Sequence, residues 1–166
     1  LRDALRYVRR SPGLLVIFVV FTAVGTFSFN YNVSFLKLAD DRFGGKNLFG
    51  WLLAVSSLGS LIGALVTAAR VKVSAGWFFG SAAVLGVASF GVAFAPSIWI
   101  AYLVALPLGA GGAAFIAALN AITQQDSPPD MRGRLLALGA VAFLGTTPIG
   151  APITGWIADR VSAEWS

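Results

Sequence analysis

The chain contains no cysteine and no histidine. Without cysteine it forms no disulfide, no zinc–thiolate site and no thiol nucleophile. Without histidine it lacks the commonest general base and the commonest metal ligand. Because intramembrane catalysis needs a nucleophile with a base, or a set of metal ligands, we expect this protein not to be an enzyme. We also expect neither a cofactor nor a bound metal.

Charged residues are scarce. They make up 11% of the 166 residues, whereas hydrophobic residues make up 57%. A soluble domain needs far more charge to cover its surface, so the lipid bilayer is the expected solvent for most of the chain. The net charge of +5 is compatible with nucleic-acid binding, but the basic residues flank apolar runs instead of forming a patch. That placement is typical of membrane topology, and we expect no nucleic-acid partner.

Long stretches without charge divide the chain into spans. These stretches cover residues 11–36, 47–69, 73–125 and 135–158. A helix needs about 20 apolar residues to cross a hydrocarbon core roughly 30 Å thick, so the first, second and fourth stretches hold one span each. The third is too long for one span and is broken at Pro96, which predicts two spans joined by a tight turn. The predicted fold is an all-α, polytopic bundle of five transmembrane helices, approximately at 13–36, 48–69, 75–95, 97–124 and 133–158.

The lysines and arginines are distributed unevenly between the two sides that these spans define. With a cytoplasmic N-terminus, eight of the 12 basic residues fall on the inside and four on the outside. Basic residues are enriched on the cytoplasmic side of membrane proteins. We therefore predict a multi-pass protein of the plasma (inner) membrane with its N-terminus in the cytoplasm.

The segment GTFSFNYNVSF, residues 25–35, alternates apolar and polar residues as a β-strand does. It continues directly from an apolar run of helix length, and a lone strand would leave unpaired edges in lipid. The segment is therefore predicted to be the outer end of the first span. At helical spacing, three polar residues of this segment and one residue before it form a single stripe: Thr22, Thr26, Asn30 and Ser34.

This stripe has two interpretations, and the residues alone leave both open. Asn32 lies almost opposite Asn30, so the helix is polar on more than one side and faces protein or water rather than lipid all round. Its side chains either hydrogen-bond to other helices or line an aqueous cavity that holds a substrate. Tyr31 belongs to an aromatic ridge that either contacts an apolar substrate or packs against neighbours. Asn120 and Gln124, four apart near the inner end of the fourth span, are cavity candidates of the same kind.

Small residues recur at the spacing that lets two helices approach closely. Gly59 and Gly63 share one helix face, and Gly76 and Gly80 repeat the pattern. Both pairs are interpreted as packing contacts, and a sliding contact during transport is the alternative. In the fourth span, Pro107 removes a backbone hydrogen bond next to Gly109, which predicts either a kink that acts as a hinge or passive packing.

The fifth span and its entry contain further candidates. A cluster of glycines and prolines resembles the one in the fourth span: Gly145, Pro148, Gly150 and Pro152. Before it, Ser127 is predicted to cap the helix with Pro128 at its first position. Arg132 and Arg134 follow at the membrane surface, where they anchor the topology.

Four motifs together resemble one transporter family: LRYVRRSPGL, FGWLLAVSSLGSLIGAL, SPPDMRGRLLAL and GTTPIGAPITGWIADR. The chain resembles the C-terminal half of a major facilitator superfamily transporter, nearest to the enterobactin-exporter-like branch of drug and siderophore exporters. The resemblance implies that the spans are the seventh to eleventh of a twelve-helix protein, and so form an incomplete, truncated six-helix half. Such folds consist of two halves around a central cavity.

The resemblance also implies a function and partners. It implies that the chain is part of a secondary active transporter that exports a small molecule by alternating access. Its partner is then the missing N-terminal six-helix half of the same protein. It favours a cavity position for Asn30 and a cytoplasmic gate salt bridge for Arg132 and Arg134. Because no charged residue lies inside a span, a proton-titrating carboxylate of a coupled antiporter is expected in the missing half. The alternative is a non-transporting membrane assembly or scaffold protein, or a transporter remnant.

Overall fold

The computed structural model describes residues 2–28 and 46–145. These residues form helices joined by short turns and contain no strand. The helices are α1 (Arg2–Arg10), α2 (Pro12–Ser28), α3 (Lys46–Ala68), α4 (Ala75–Ala93), α5 (Ile98–Gln125) and α6 (129–145). In this part of the chain α3, α4 and α5 are each long and apolar enough to cross a membrane, and α1 with α2 makes a fourth, bent candidate. The predicted all-α membrane bundle is confirmed.

Three of the five predicted spans are described over their whole length. The helices α3, α4 and α5 occupy the regions expected for the second, third and fourth spans, with ends that differ by at most two residues. The first and fifth spans are described only as far as Ser28 and residue 145. The remainder of the alternating segment, with Asn30, Tyr31 and Asn32, lies outside the described residues. The number of spans in the whole chain stays a prediction.

Serines start the two helices that flank the predicted turn. Ser74 caps α4 by accepting a hydrogen bond from the Trp77 backbone nitrogen at 3.3 Å, and Ser97 caps α5 by accepting one from Ile100 at 3.4 Å. Each cap satisfies one of the donors that a helix leaves unpaired at its first turn. Pro96 precedes the second cap, so α4 ends at Ala93 and the chain turns without a regular element.

The predicted cap of α6 is wrong by one residue. The helix begins at residue 129, and the Pro128 carbonyl accepts the first hydrogen bonds from the backbone nitrogens of Met131 and Arg132 at 3.0 Å and 3.2 Å. The Ser127 hydroxyl is buried and has no hydrogen-bond partner among the described residues. Two prolines stand in succession, and the second one takes the first helical position because its ring also holds the preceding residue outside the helix.

The helix α5 is at the centre of the bundle, with α3 packed on one side and α4 on another. Its Phe115 ring lies 5.3 Å from the Phe21 ring of α2 and 4.6 Å from the Phe78 ring of α4, centroid to centroid. Phe143 of α6 lies 6.3 Å from Phe21. Phe21, Phe78 and Phe115 are at most 2% exposed. The aromatic cluster therefore joins α2 and α4 to α5 at Phe115, and joins α6 to α2 at Phe21.

Glycines bring the backbones of α3 and α5 into direct contact. A Cβ atom at Gly59 would overlap the Leu106 carbonyl, one at Gly63 would overlap the Ala110 carbonyl, and one at Gly109 would overlap the Ser56 carbonyl. The contacts are reciprocal, because each helix supplies both glycines and carbonyls. Ser60 adds a hydrogen bond across the interface from its Oγ to the Gly109 carbonyl at 3.2 Å.

The second glycine pair does not repeat this role. A Cβ at Gly80 would meet nothing within 4 Å, and one at Gly76 would meet only the Ser74 hydroxyl at 3.7 Å. Within the described residues, no neighbouring helix packs on Gly76 and Gly80, so the packing interpretation is wrong for this pair as far as the structure describes the chain. Gly111 instead makes the close contact with α4, where a Cβ would lie 2.8 Å from the Leu85 nitrogen.

The short helix α1 lies across one end of the bundle. It meets α2 at a bend of 112°, so if α2 crosses the membrane, α1 runs close to the membrane plane. Ala4 and Val8 are buried in the common core, whereas Arg6 and Arg9 are exposed on the other side of the helix. This amphipathic pattern is typical of a helix at a membrane interface.

We predict that alanine has different effects on stability at Gly63 and at Gly80, each of which belongs to a pair of glycines four residues apart. Gly63→Ala is expected to lower the free energy of unfolding by about 1–3 kcal/mol, because a backbone carbonyl cannot give way to the added methyl. Gly80→Ala is expected to be neutral or slightly stabilising, because the methyl enters open space and alanine favours a helix. The measurement is the thermal unfolding midpoint of the purified full-length protein in detergent. Equal midpoints for the two variants would contradict the α3–α5 contact.

Candidate functional site

The threonines of the predicted polar stripe donate their hydroxyl hydrogens to backbone carbonyls of α2. Thr22 donates its hydroxyl hydrogen to the Phe18 carbonyl at 2.8 Å, and Thr26 donates to the Thr22 carbonyl at 2.8 Å. Such bonds to the residue four positions earlier are common for threonine in membrane helices. A hydroxyl oxygen also has two lone pairs, so donation to its own helix leaves it able to accept from water or a substrate. Thr22 is exposed and Thr26 is half-buried.

Asn120 and Gln124 lie together on an exposed face of α5. The Gln124 amide nitrogen donates to the Asn120 backbone carbonyl at 3.2 Å, which orients the longer side chain along the helix. Both residues are exposed in the described part of the bundle. Exposed amides on a helix this apolar are costly against lipid, so this face is suited to water or to another part of the protein.

The end of α3 explains why these amides are uncovered. Gly59 lies opposite Leu106, Gly63 opposite Ala110 and Ser56 opposite Gly109, so α3 and α5 run parallel, with offsets of 47 to 53 residues between facing positions. The midpoint of these offsets places the last residue of α3, Ala68, level with Ala118. The next turns of α5, with Asn120 and Gln124, continue past the end of α3.

The basic segments that the structure describes lie at one end of the bundle. A cavity of about 490 Å³ is lined by residues from the start of α2, the α3–α4 loop and the end of α5, among them Gly13, Lys72 and Asp126. The start of α6 joins the same end, because its Arg134 forms an ion pair with Asp3 of α1, Nη1 to Oδ2 at 3.2 Å. The segments predicted to be cytoplasmic therefore lie together.

The two predicted gate arginines have different partners. The Arg132 Nε donates to the Ser127 backbone carbonyl at 3.1 Å, which holds the side chain against the turn before α6. The side chains of Arg134 and Asp3 are 57% and 63% exposed. An ion pair this exposed contributes little to stability, because water screens it and two long side chains lose freedom. It can therefore exchange partners at small cost.

Arg70 and Trp77 form a second polar contact, which the sequence analysis did not predict. The Arg70 guanidinium carbon lies 3.6 Å from the centroid of the Trp77 ring. The Trp77 indole nitrogen donates to the Thr67 hydroxyl at 3.0 Å, and Thr67 donates to the Gly63 carbonyl at 2.8 Å. The only sequence signal was a tryptophan in the first turn of α4 shortly after a basic loop.

The predicted hinge residues are described in part. The helix α5 continues as one element through Pro107, and Gly109 is buried against α3. Gly145 is the last described residue of α6, and a Cβ there would meet nothing within 4 Å. Pro148, Gly150 and Pro152 lie outside the described residues.

Comparison with known proteins identifies the family. Residues 13–166 match the Major Facilitator Superfamily. The chain is also similar to the multidrug efflux pump Tap of Mycolicibacterium fortuitum, with 29% identity over 161 residues that make up 95% of this chain and 39% of that protein. The chain thus spans about two fifths of this relative's length. No solved structure matches it significantly. Because the family match covers nearly the whole chain, this multi-pass membrane protein belongs to the major facilitator superfamily, a family of transporters.

Proposed function

We propose that the chain is part of a secondary active transporter that exports a small molecule of the drug or siderophore type by alternating access. The observation that carries this proposal is the similarity of 95% of the chain to a protein named a multidrug efflux pump. In this proposal the chain supplies spans seven to eleven of an enterobactin-exporter-like protein, and an N-terminal six-helix half completes the cavity. The cytoplasmic N-terminus and the plasma-membrane location are parts of the same proposal.

The polar residues of α2 and α5 are proposed to line the passage. Thr22 offers a lone pair to a substrate, and the Asn120 and Gln124 side chains offer both donors and acceptors. Thr26 continues the same stripe towards Asn30, Tyr31 and Asn32. A wall of hydroxyls, amides and aromatic rings suits amphipathic or uncharged substrates, because it provides hydrogen bonds without a fixed charge.

The coupling group is proposed to lie elsewhere in the complete transporter. The sequences of α2, α4 and α5 contain no charged residue. Proton coupling generally depends on an ionisable side chain within the membrane. In an antiporter built with this chain, the partner half therefore carries the titrating carboxylate, and this half contributes substrate contacts rather than catalysis or a cofactor.

The small residues and the arginines have proposed roles in the transport cycle. The α3–α5 contact through Gly59, Gly63 and Gly109 keeps two helices together while the halves rock against each other. Pro107, together with the cluster Gly145, Pro148, Gly150 and Pro152, supplies the positions where a helix can bend. Arg132 and Arg134 are proposed to close the cytoplasmic side by pairing with the other half. A non-transporting scaffold protein is the second candidate, and it requires no aqueous cavity.

Labelling with a membrane-impermeant thiol reagent separates these two candidates. The chain has no native cysteine, so single cysteines can be read out without background from this half. In the full-length protein with any other cysteines replaced, Thr26→Cys, Asn30→Cys and Asn120→Cys are expected to be labelled, with labelling slowed by a transported substrate. Leu103→Cys, whose side chain is 75% exposed on the apolar surface, is the control and is expected to remain unlabelled. A lack of labelling at all three polar positions would favour the scaffold.

Substitution of Arg134 and of Asp3 distinguishes a gate from a surface anchor. Arg134→Gln is expected to lower efflux about tenfold if its charge closes the cytoplasmic side, since one strong charged hydrogen bond is worth about 1.5 kcal/mol or more. Asp3→Asn breaks the same surface pair but leaves the arginine, and it is expected to leave efflux unchanged. The readout is the initial rate of substrate efflux at equal membrane expression. Equal losses in the two variants would show that the pair itself matters and would contradict the gate.

A further inference from the structure

An apolar groove runs between α3 and α4 on the outside of the bundle. It encloses about 390 Å³, and α5 forms its floor at Gly111. Its walls include Ile62 and Val66 of α3 and Val84 of α4, all of which are more than 40% exposed. Gly80 lies in the groove with open space where a Cβ would be. We call this feature the α3–α4 groove. Because Gly80 has no side chain, this part of the groove is open.

A cation lies at one end of the α3–α4 groove. Trp77 lines the groove near the start of α4, and Arg70 stacks on its ring at 3.6 Å. The indole is itself held by its hydrogen bond to Thr67, so the position of the guanidinium is set by a chain of contacts that begins at the Gly63 carbonyl. A stacked guanidinium keeps its N–H groups at the edge of the plane, where they are available to an anion. Lys72 is exposed in the same loop, but it lines the cavity near the start of α2 and not this groove.

Among the residues that the structure describes, no carboxylate balances the charge of Arg70, whereas Lys72 shares a cavity with Asp126. In residues 2–28 and 46–145, no carboxylate forms an ion pair with Arg70, whereas Arg134 is paired with Asp3. A soluble anion would satisfy Arg70 but would make no use of the apolar groove. A neutral lipid would fill the groove but would leave the guanidinium unpaired. A second copy of this chain would bring further net positive charge to a basic end.

We propose that the α3–α4 groove binds one anionic phospholipid, with an acyl chain along Ile62, Val66 and Val84 and the phosphate on Arg70. Basic pockets between transmembrane helices at the cytoplasmic side are known to hold anionic headgroups. The proposal follows from the groove and its charge, and it does not depend on what the protein transports. The lipid comes from the leaflet at the end where the basic segments of the chain collect.

Lipid titration of the purified full-length protein, followed by native mass spectrometry, tests the charge. Phosphatidylglycerol is expected to bind at least fivefold more tightly than phosphatidylcholine with the same acyl chains, since a basic residue near an anionic lipid surface is worth roughly a factor of five. Arg70→Gln is expected to remove this preference, and Arg70→Lys to retain most of it. Arg9→Gln, which removes the same charge from the exposed side of α1, is the matched control and is expected to keep the preference. Equal binding of the two lipids, or an unchanged preference in Arg70→Gln, would overturn the proposal.

A second pair of variants tests the groove. Leucine at Gly80 fills the α3–α4 groove, whereas leucine at Gly86 enters space outside it, and a Cβ at either position meets nothing within 4 Å. Gly80→Leu is expected to weaken phosphatidylglycerol binding about fivefold or more and Gly86→Leu to leave it unchanged, with similar unfolding midpoints for both. Equal lipid binding by the two variants would overturn the proposal. So would a dimer that Gly80→Leu dissociates and Arg70→Gln does not affect, because the occupant would then be a second copy.

Discussion

The backbone contact between α3 and α5 is the constraint on which the rest of the bundle depends. Lipid tails are as apolar as leucine, so membrane helices gain little from burying apolar surface against each other, and close packing decides which faces meet. Here three carbonyls, each from the opposite helix, occupy the space that a Cβ would need at Gly59, Gly63 and Gly109. These positions hold α3 in one register on α5. That register places the end of α3 level with Ala118, so α3 does not cover Asn120 and Gln124 in the next turns of α5.

The contact between α4 and the opposite side of α5 also depends on close packing at a glycine. Gly109 and Gly111 are two residues apart on a helix, so they point in nearly opposite directions, one to α3 and one to α4. On the α4 side the close approach at Gly111 is followed one turn later by Phe115, which stacks on Phe78. Small residues thus bring two helices close to one central helix, and the separation of α3 and α4 that results opens the groove above Gly111. The groove and the tight contact have one cause.

The sequence predicted the helices better than it predicted their neighbours. Charge-free stretches located α3, α4 and α5 to within two residues, because the cost of a charge in lipid is a local property of the chain. The spacing of Gly59 and Gly63 predicted a contact that exists, whereas Gly76 and Gly80, with the same spacing, meet no other helix among residues 2–28 and 46–145. Spacing determines only which residues share a face, and what lies opposite that face is set by the other helices. Arg70 and Trp77 were missed for this reason, since their contact depends on the turn between α3 and α4. The cavity residues on 29–45 stay predictions.

The basic residues at one end of the bundle differ in their immediate contacts, although a count of charges treats them alike. Arg134 forms an exposed pair with Asp3, and such a pair breaks and re-forms at small cost. This makes it suited to a gate, which must exchange one partner for another in every cycle. Arg70 is held on an indole that is itself hydrogen-bonded to α3, and cation–π stacking strengthens as water is excluded. A cation that rests on a fixed indole is already oriented, so it can bind a static partner without losing much side-chain entropy. Both arginines therefore lie at the same end of the bundle, and their different contacts suit them to the different roles proposed for them.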